Sequence, residues 1–132
     1  MLARCAGLGC LALCLAGCLL GPSPVTVGGS WSGKLSICVN QWNCTFTMNL
    51  QESSGNLSGS WASANNPRVA GTISGRAGSS DVKFNLTPGD TSYCTYVIDA
   101  PAKGAVSSMS GHFTVTNCPD FASLSGSFDA SR

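Results

Sequence analysis

The chain has 132 residues, seven Lys or Arg against six Asp or Glu, and only 10% charged residues in all. The charges are scattered singly, so the basic patch that a nucleic-acid binder needs is missing and no nucleic-acid partner is expected. One histidine and no Gly-x-Ser-x-Gly elbow leave no evident catalytic set, and no enzyme activity or cofactor is expected.

Arg4 supplies one positive charge near the start, and an uncharged run follows from Cys5 to Cys18, 14 residues of apolar and small side chains. That length suits the apolar region of a signal peptide and is short for a membrane-spanning helix. The run ends in Leu15-Ala16-Gly17-Cys18. These four residues resemble the end of bacterial lipoprotein signals, which read aliphatic, small, small, Cys. The resemblance implies cleavage before Cys18, diacylglyceryl on its sulfur and acylation of the new amine. More than one acyl chain makes such an anchor stable where a single chain is marginal. Residues 1–17 are then the signal peptide, and the protein is expected in a bacterial cell envelope, held to the membrane by lipid. Leu19 rather than Asp after the Cys favours the outer membrane where the cell has one. The competing reading is an ordinary secretory signal cut near Gly21 or Pro24.

Residues 18–29 read as the lipidated Cys and a short Gly/Pro-bearing tether. The rest, 30–132, reads as one β-domain. From Cys18 onward, six basic residues balance six acidic ones. Four further cysteines remain: Cys38, Cys44, Cys94 and Cys118. An even number in an exported chain predicts two disulfides. Four cysteines allow three pairings. One of them puts a local bridge from Cys38 to Cys44 and leaves Cys94 with Cys118. Zinc is excluded by the spacings and the lone histidine.

A short pattern recurs along the domain: apolar, x, Gly, x, then aromatic or aliphatic. It occurs at Val27-Gly28-Gly29-Ser30-Trp31, Leu57-Ser58-Gly59-Ser60-Trp61 and Val69-Ala70-Gly71-Thr72-Ile73. It returns at Met109-Ser110-Gly111-His112-Phe113 and Leu124-Ser125-Gly126-Ser127-Phe128. In a strand these positions share one face, and repeated Gly there suggests sharp bending or room for a large neighbouring ring. Phe46-Thr47-Met48-Asn49-Leu50 and Val82-Lys83-Phe84-Asn85-Leu86 alternate in the same period. Turn residues separate the runs. Strands are predicted at 30–39, 44–51, 56–63, 68–75, 80–87, 93–100, 107–117 and 122–129. The fold class is all-β: a small up-and-down meander barrel of about eight antiparallel strands, with disulfides.

Gly29-Ser30-Trp31, Gly59-Ser60-Trp61-Ala62-Ser63-Ala64 and Gly71-Thr72 resemble avidin-like and lipocalin-like small barrels. The resemblance covers about a third of the domain and implies the barrel. It does not carry over biotin contacts, because Gly33 and Ile37 stand where avidins place Asn and Ser, and no Trp follows Trp61.

Trp42 lies between Cys38 and Cys44 among Asn40, Gln41 and Asn43, where a pinned loop could grip a sugar, a peptide or a partner protein. Otherwise its ring folds over the barrel end. Tyr93 and Tyr96 carry the same ambiguity. Trp31, Trp61, Phe113 and Phe128 would line the interior, with Leu35, Ile37, Phe46, Met48, Leu50, Val82, Phe84 and Leu86. A filled interior is expected; an open one would hold a small apolar ligand. His112 is expected to face solvent, and the acids to serve turns and strand ends. The expected function is a lipid-anchored, non-catalytic binding or structural module, partnered by the membrane and by an envelope protein or a small apolar ligand. The alternatives are a carrier of calycin type and, further off, an envelope hydrolase.

Overall fold

The computed structural model describes residues 23–38, 43–118 and 124–132. Eight strands follow one another: β1 (Gly29–Leu35), β2 (Thr45–Ser53), β3 (Asn56–Ser63), β4 (Ala70–Ala77), β5 (Asp81–Pro88), β6 (Thr95–Pro101), β7 (Ser108–Thr116) and β8 (Ser125–Ser131). Each pairs antiparallel with the next, and β8 returns to β1 to close an up-and-down barrel. Closure removes every sheet edge that could pair with another chain.

The alternation in sequence becomes the wall of the barrel. Along β2, Phe46, Met48 and Leu50 are buried while Thr47, Asn49 and Gln51 face water. β5 repeats this with Val82, Phe84 and Leu86 inside. The interior is filled by rings. Phe46 lies 6.3 Å from both Trp61 and Phe128, Phe84 meets Phe128 edge-on at 5.8 Å, and Tyr96 meets Phe113 at 5.6 Å. Burying one such side chain contributes about 1.5–3 kcal/mol.

Several glycines sit opposite these rings in the cross-strand register. Gly33 pairs with Phe46, Gly71 with Trp61 and Gly75 with Phe84. Phe113 pairs with Gly126 and Gly111 with Phe128 on the same two strands, in reciprocal fashion. One of the two uses expected of the pattern glycines, room for a ring, occurs at Gly126, where a methyl group would fall 2.8 Å from the Phe113 ring. The Phe46 ring covers Gly33, where a methyl group would fall 2.4 Å from Cζ. At Gly71 and Gly111 a methyl group would meet the backbone of the next strand, 1.8 Å from the Thr87 carbonyl oxygen and 2.1 Å from that of Asp99. The strands therefore approach more closely there than a side chain permits.

Two sequence expectations need correction. Ile37 was expected in the interior; it is 46% exposed, because β1 stops at Leu35 and the chain bends at Ser36 and Ile37. The tether expected to run to residue 29 ends sooner. Val25 and Val27 are fully buried members of the core. Residues 24–28 thus belong to the barrel domain as a strap across one end. Alternating Val25 and Val27 around exposed Thr26 is a strand-like signal, but too short to weigh against the Gly and Pro on either side.

Candidate functional site

The connections divide the barrel into two unlike ends. At one end lie the turns after β2, β4 and β6, the start of β1 and the C-terminus. The β2–β3 turn is a two-residue hairpin in which Ser54 and Gly55 both have positive φ, 52° and 81°, the geometry that matches strand twist. The strap crosses this end and is tied to each turn. Pro24 packs beside Gly55. The Val25 N–H donates to the Gly78 carbonyl at 2.7 Å and the Thr26 N–H to that of Gly104 at 2.8 Å. Thr26 also forms a parallel bridge with Ala105.

Two charged side chains fasten the strap. The Glu52 carboxylate accepts from the backbone N–H groups of both Val27 and Gly28. Arg132 donates to the Gly28 carbonyl and, at 3.1 and 2.7 Å, to that of Val106. Its guanidinium stands 4.8 Å from the centre of the Trp31 ring, a cation–π arrangement. The Trp31 indole N–H in turn donates to the Val27 carbonyl at 2.8 Å. The sequence reading missed Glu52 and Arg132. The available signal was barrel closure itself, which brings the end of β8 beside the start of β1.

The other end carries the connections at 64–69 and 89–94, the described parts of those after β1 and β7, and both disulfides. Cys38 is bonded to Cys44 within the connection after β1, and Cys94 to Cys118 between those after β5 and β7. Asn65 adds a tie, accepting from the Asn43 N–H at 3.2 Å and the Ser63 hydroxyl at 2.8 Å. In the connection after β5, Asp90 accepts from the Ser92 N–H and hydroxyl at 2.9 and 2.8 Å. These two bonds hold the Asp90 carboxyl below its ordinary pKa of 3.8. Among the described residues, Ile37 is the exposed large apolar one, and it lies at this end.

Cys18 and Trp42 lie outside the described residues. The other three expected binding residues lie in the core, each with its own partners. Trp31, Trp61 and Tyr96 are only 2–3% exposed. The Trp61 indole donates to the Thr87 carbonyl at 3.2 Å, and Tyr96 packs on Phe113. Their placement gives them packing roles, with almost no surface to offer a ligand. His112 is exposed on the outer wall of β7, opposite Asp99 and Ser127. Asp81 and Asp99 flank Lys83 at 3.8 and 3.7 Å; such exposed pairs contribute at most about 1 kcal/mol. Among the described residues no cluster of His, Cys, Asp and Glu could hold a metal.

No family model, curated protein or solved structure matches this chain.

Proposed function

We propose that this protein is a lipid-anchored β-barrel of the bacterial cell envelope that works by binding or by structure, without catalysis. The anchor is Cys18, at the end of Leu15-Ala16-Gly17-Cys18. The observation that carries the reading is the filled barrel beside that sequence. The interior is occupied by packed rings; Glu52 is bonded to the strap, and the other described acids and His112 stand on the outer wall or in turns. What remains available for work is the outer surface and the position that the lipid gives it.

The outer wall supports an anchor apart from the barrel. Its outward positions are Ser, Thr, Asn and Lys, such as Ser32, Thr47, Asn49, Ser60 and Lys83, where a membrane-spanning barrel needs an apolar band. A carrier of a small apolar ligand is the alternative. It would need room where Phe46, Phe84 and Phe128 now meet.

Metabolic labelling with a clickable palmitate analogue in a bacterial host tests the reading. Wild-type protein is expected to take the label and fractionate with membranes, and Cys18→Ser to do neither. Equal membrane association of an unlabelled wild type and Cys18→Ser would overturn it.

A further inference from the structure

We propose that the strapped end of the barrel rests on the phospholipid surface, so that the turns at residues 54–55, 78–80 and 103–105 meet the headgroups and the disulfide-bearing connections point away. This rests on lipidation of Cys18, as proposed above.

The position of the strap and the length of chain before it set the orientation. The chain enters the barrel at Pro24 and Val25, against the turns after β2 and β4. Cys18 is only six residues before Pro24. Six residues reach about 20 Å when fully stretched, and a flexible chain of that length has a typical end-to-end distance of about 13 Å. The strands have seven to nine residues, which at ordinary rise and tilt is about 20 Å along the barrel axis before the loops are added. A lipid on Cys18 therefore keeps the strapped end at the headgroups. Placing the other end there would need the whole tether stretched along the wall, with no length left for the loops.

The chemistry of the strapped end fits such a surface. Its tips are small and neutral, with Ser54, Gly55, Ser79, Ser80 and Gly104. Lys103 adds an exposed cation, which suits anionic headgroups. The acids nearest the tips are both engaged: Glu52 accepts from the strap N–H groups of Val27 and Gly28, and Asp81 lies beside Lys83. Ile37, the exposed large apolar residue among those described, lies at the opposite end. The tips are thus suited to headgroup contact and not to insertion. The outward end, crosslinked by both disulfides, is the surface left open to a partner in the envelope.

The full-length lipidated protein, labelled with nitrogen-15, is placed in nanodiscs of phosphatidylethanolamine and phosphatidylglycerol carrying a gadolinium-chelating lipid. Amide relaxation is then read at both ends. Ser54, Ser79 and Gly104 are expected to relax at least about tenfold faster than Arg68 and Asp90, because the effect falls steeply over an axial separation of about 20 Å. Equal relaxation at the two ends, or faster relaxation at Arg68 and Asp90, would overturn the orientation while leaving the anchor standing. Intact mass on the same sample separates the two ideas. A chain without acyl mass would overturn the anchor, and the orientation with it.

Discussion

Phe46 covers Gly33 across the β1–β2 pair, with the ring where the side chain of any other residue at 33 would begin. Gly33→Ala is therefore expected to destabilise the barrel by about 1–3 kcal/mol through overpacking, despite the better intrinsic fit of Ala to a strand. Urea unfolding of the single mutants and of Gly33→Ala/Phe46→Leu reads this directly. The smaller partner should recover part of the loss, because the two positions share one space. Additive losses would mean that ring and glycine do not compete.

The strap is expected to be part of the cooperative unit. Replacing both buried valines, Val25→Ala/Val27→Ala, should cost about 2–5 kcal/mol from lost burial. Glu52→Ala should cost about 1–3 kcal/mol by leaving the Val27 and Gly28 N–H groups without their acceptor. Hydrogen exchange at Val25 and Thr26 checks the same point. Their protection should match that of β2 and β5, and exchange as fast as in a free tether would contradict it.

The barrel was legible because its rules are local. Clean alternation in β2 and β5, and turn residues between runs, placed the eight strands within a few residues of where they lie. The longest excess is in β1. Alternation continues through Ile37, but pairing with β2 ends at Lys34 and Thr45, so the chain turns off at Ser36. The strap was not legible as core, since Val25 and Val27 are buried by turns far away in sequence and their own alternation is too short to stand alone. Trp31, Trp61 and Tyr96 show the same limit. An aromatic on an inward face reads alike whether it lines a cavity or fills one, and only the meeting of rings across the interior, as of Phe84 on β5 with Phe128 on β8, decides between them.

The two disulfides should differ in weight. Cys94–Cys118 spans 24 residues and Cys38–Cys44 only six. Chain-entropy reasoning gives about 3.5 kcal/mol for the longer loop and about 2.4 kcal/mol for the shorter. Denaturation midpoints of Cys94→Ala/Cys118→Ala and Cys38→Ala/Cys44→Ala should fall in that order.

Asp90 sets an acid limit on its own connection. Its carboxyl titrates below the ordinary 3.8 because the Ser92 N–H and hydroxyl bond to the charged form. A depressed folded-state pKa contributes stability that is present above the unfolded value and is lost as pH falls through the folded one. Chemical shifts of the Ser92 amide should therefore titrate with a midpoint below 3.8. In Ser92→Ala, which removes one of the two bonds, the Asp90 titration should shift upward toward 3.8.

The lipid on Cys18 is tested most directly by the intact mass of the protein purified from bacterial membranes. The chain should begin at Cys18 and carry diacylglyceryl on the sulfur with, as a rule, a further acyl group on the amine, and Cys18→Ser should never show that mass. An unmodified chain beginning near Gly21 or Pro24 would contradict the anchor and reduce the N-terminal segment to an ordinary secretory signal.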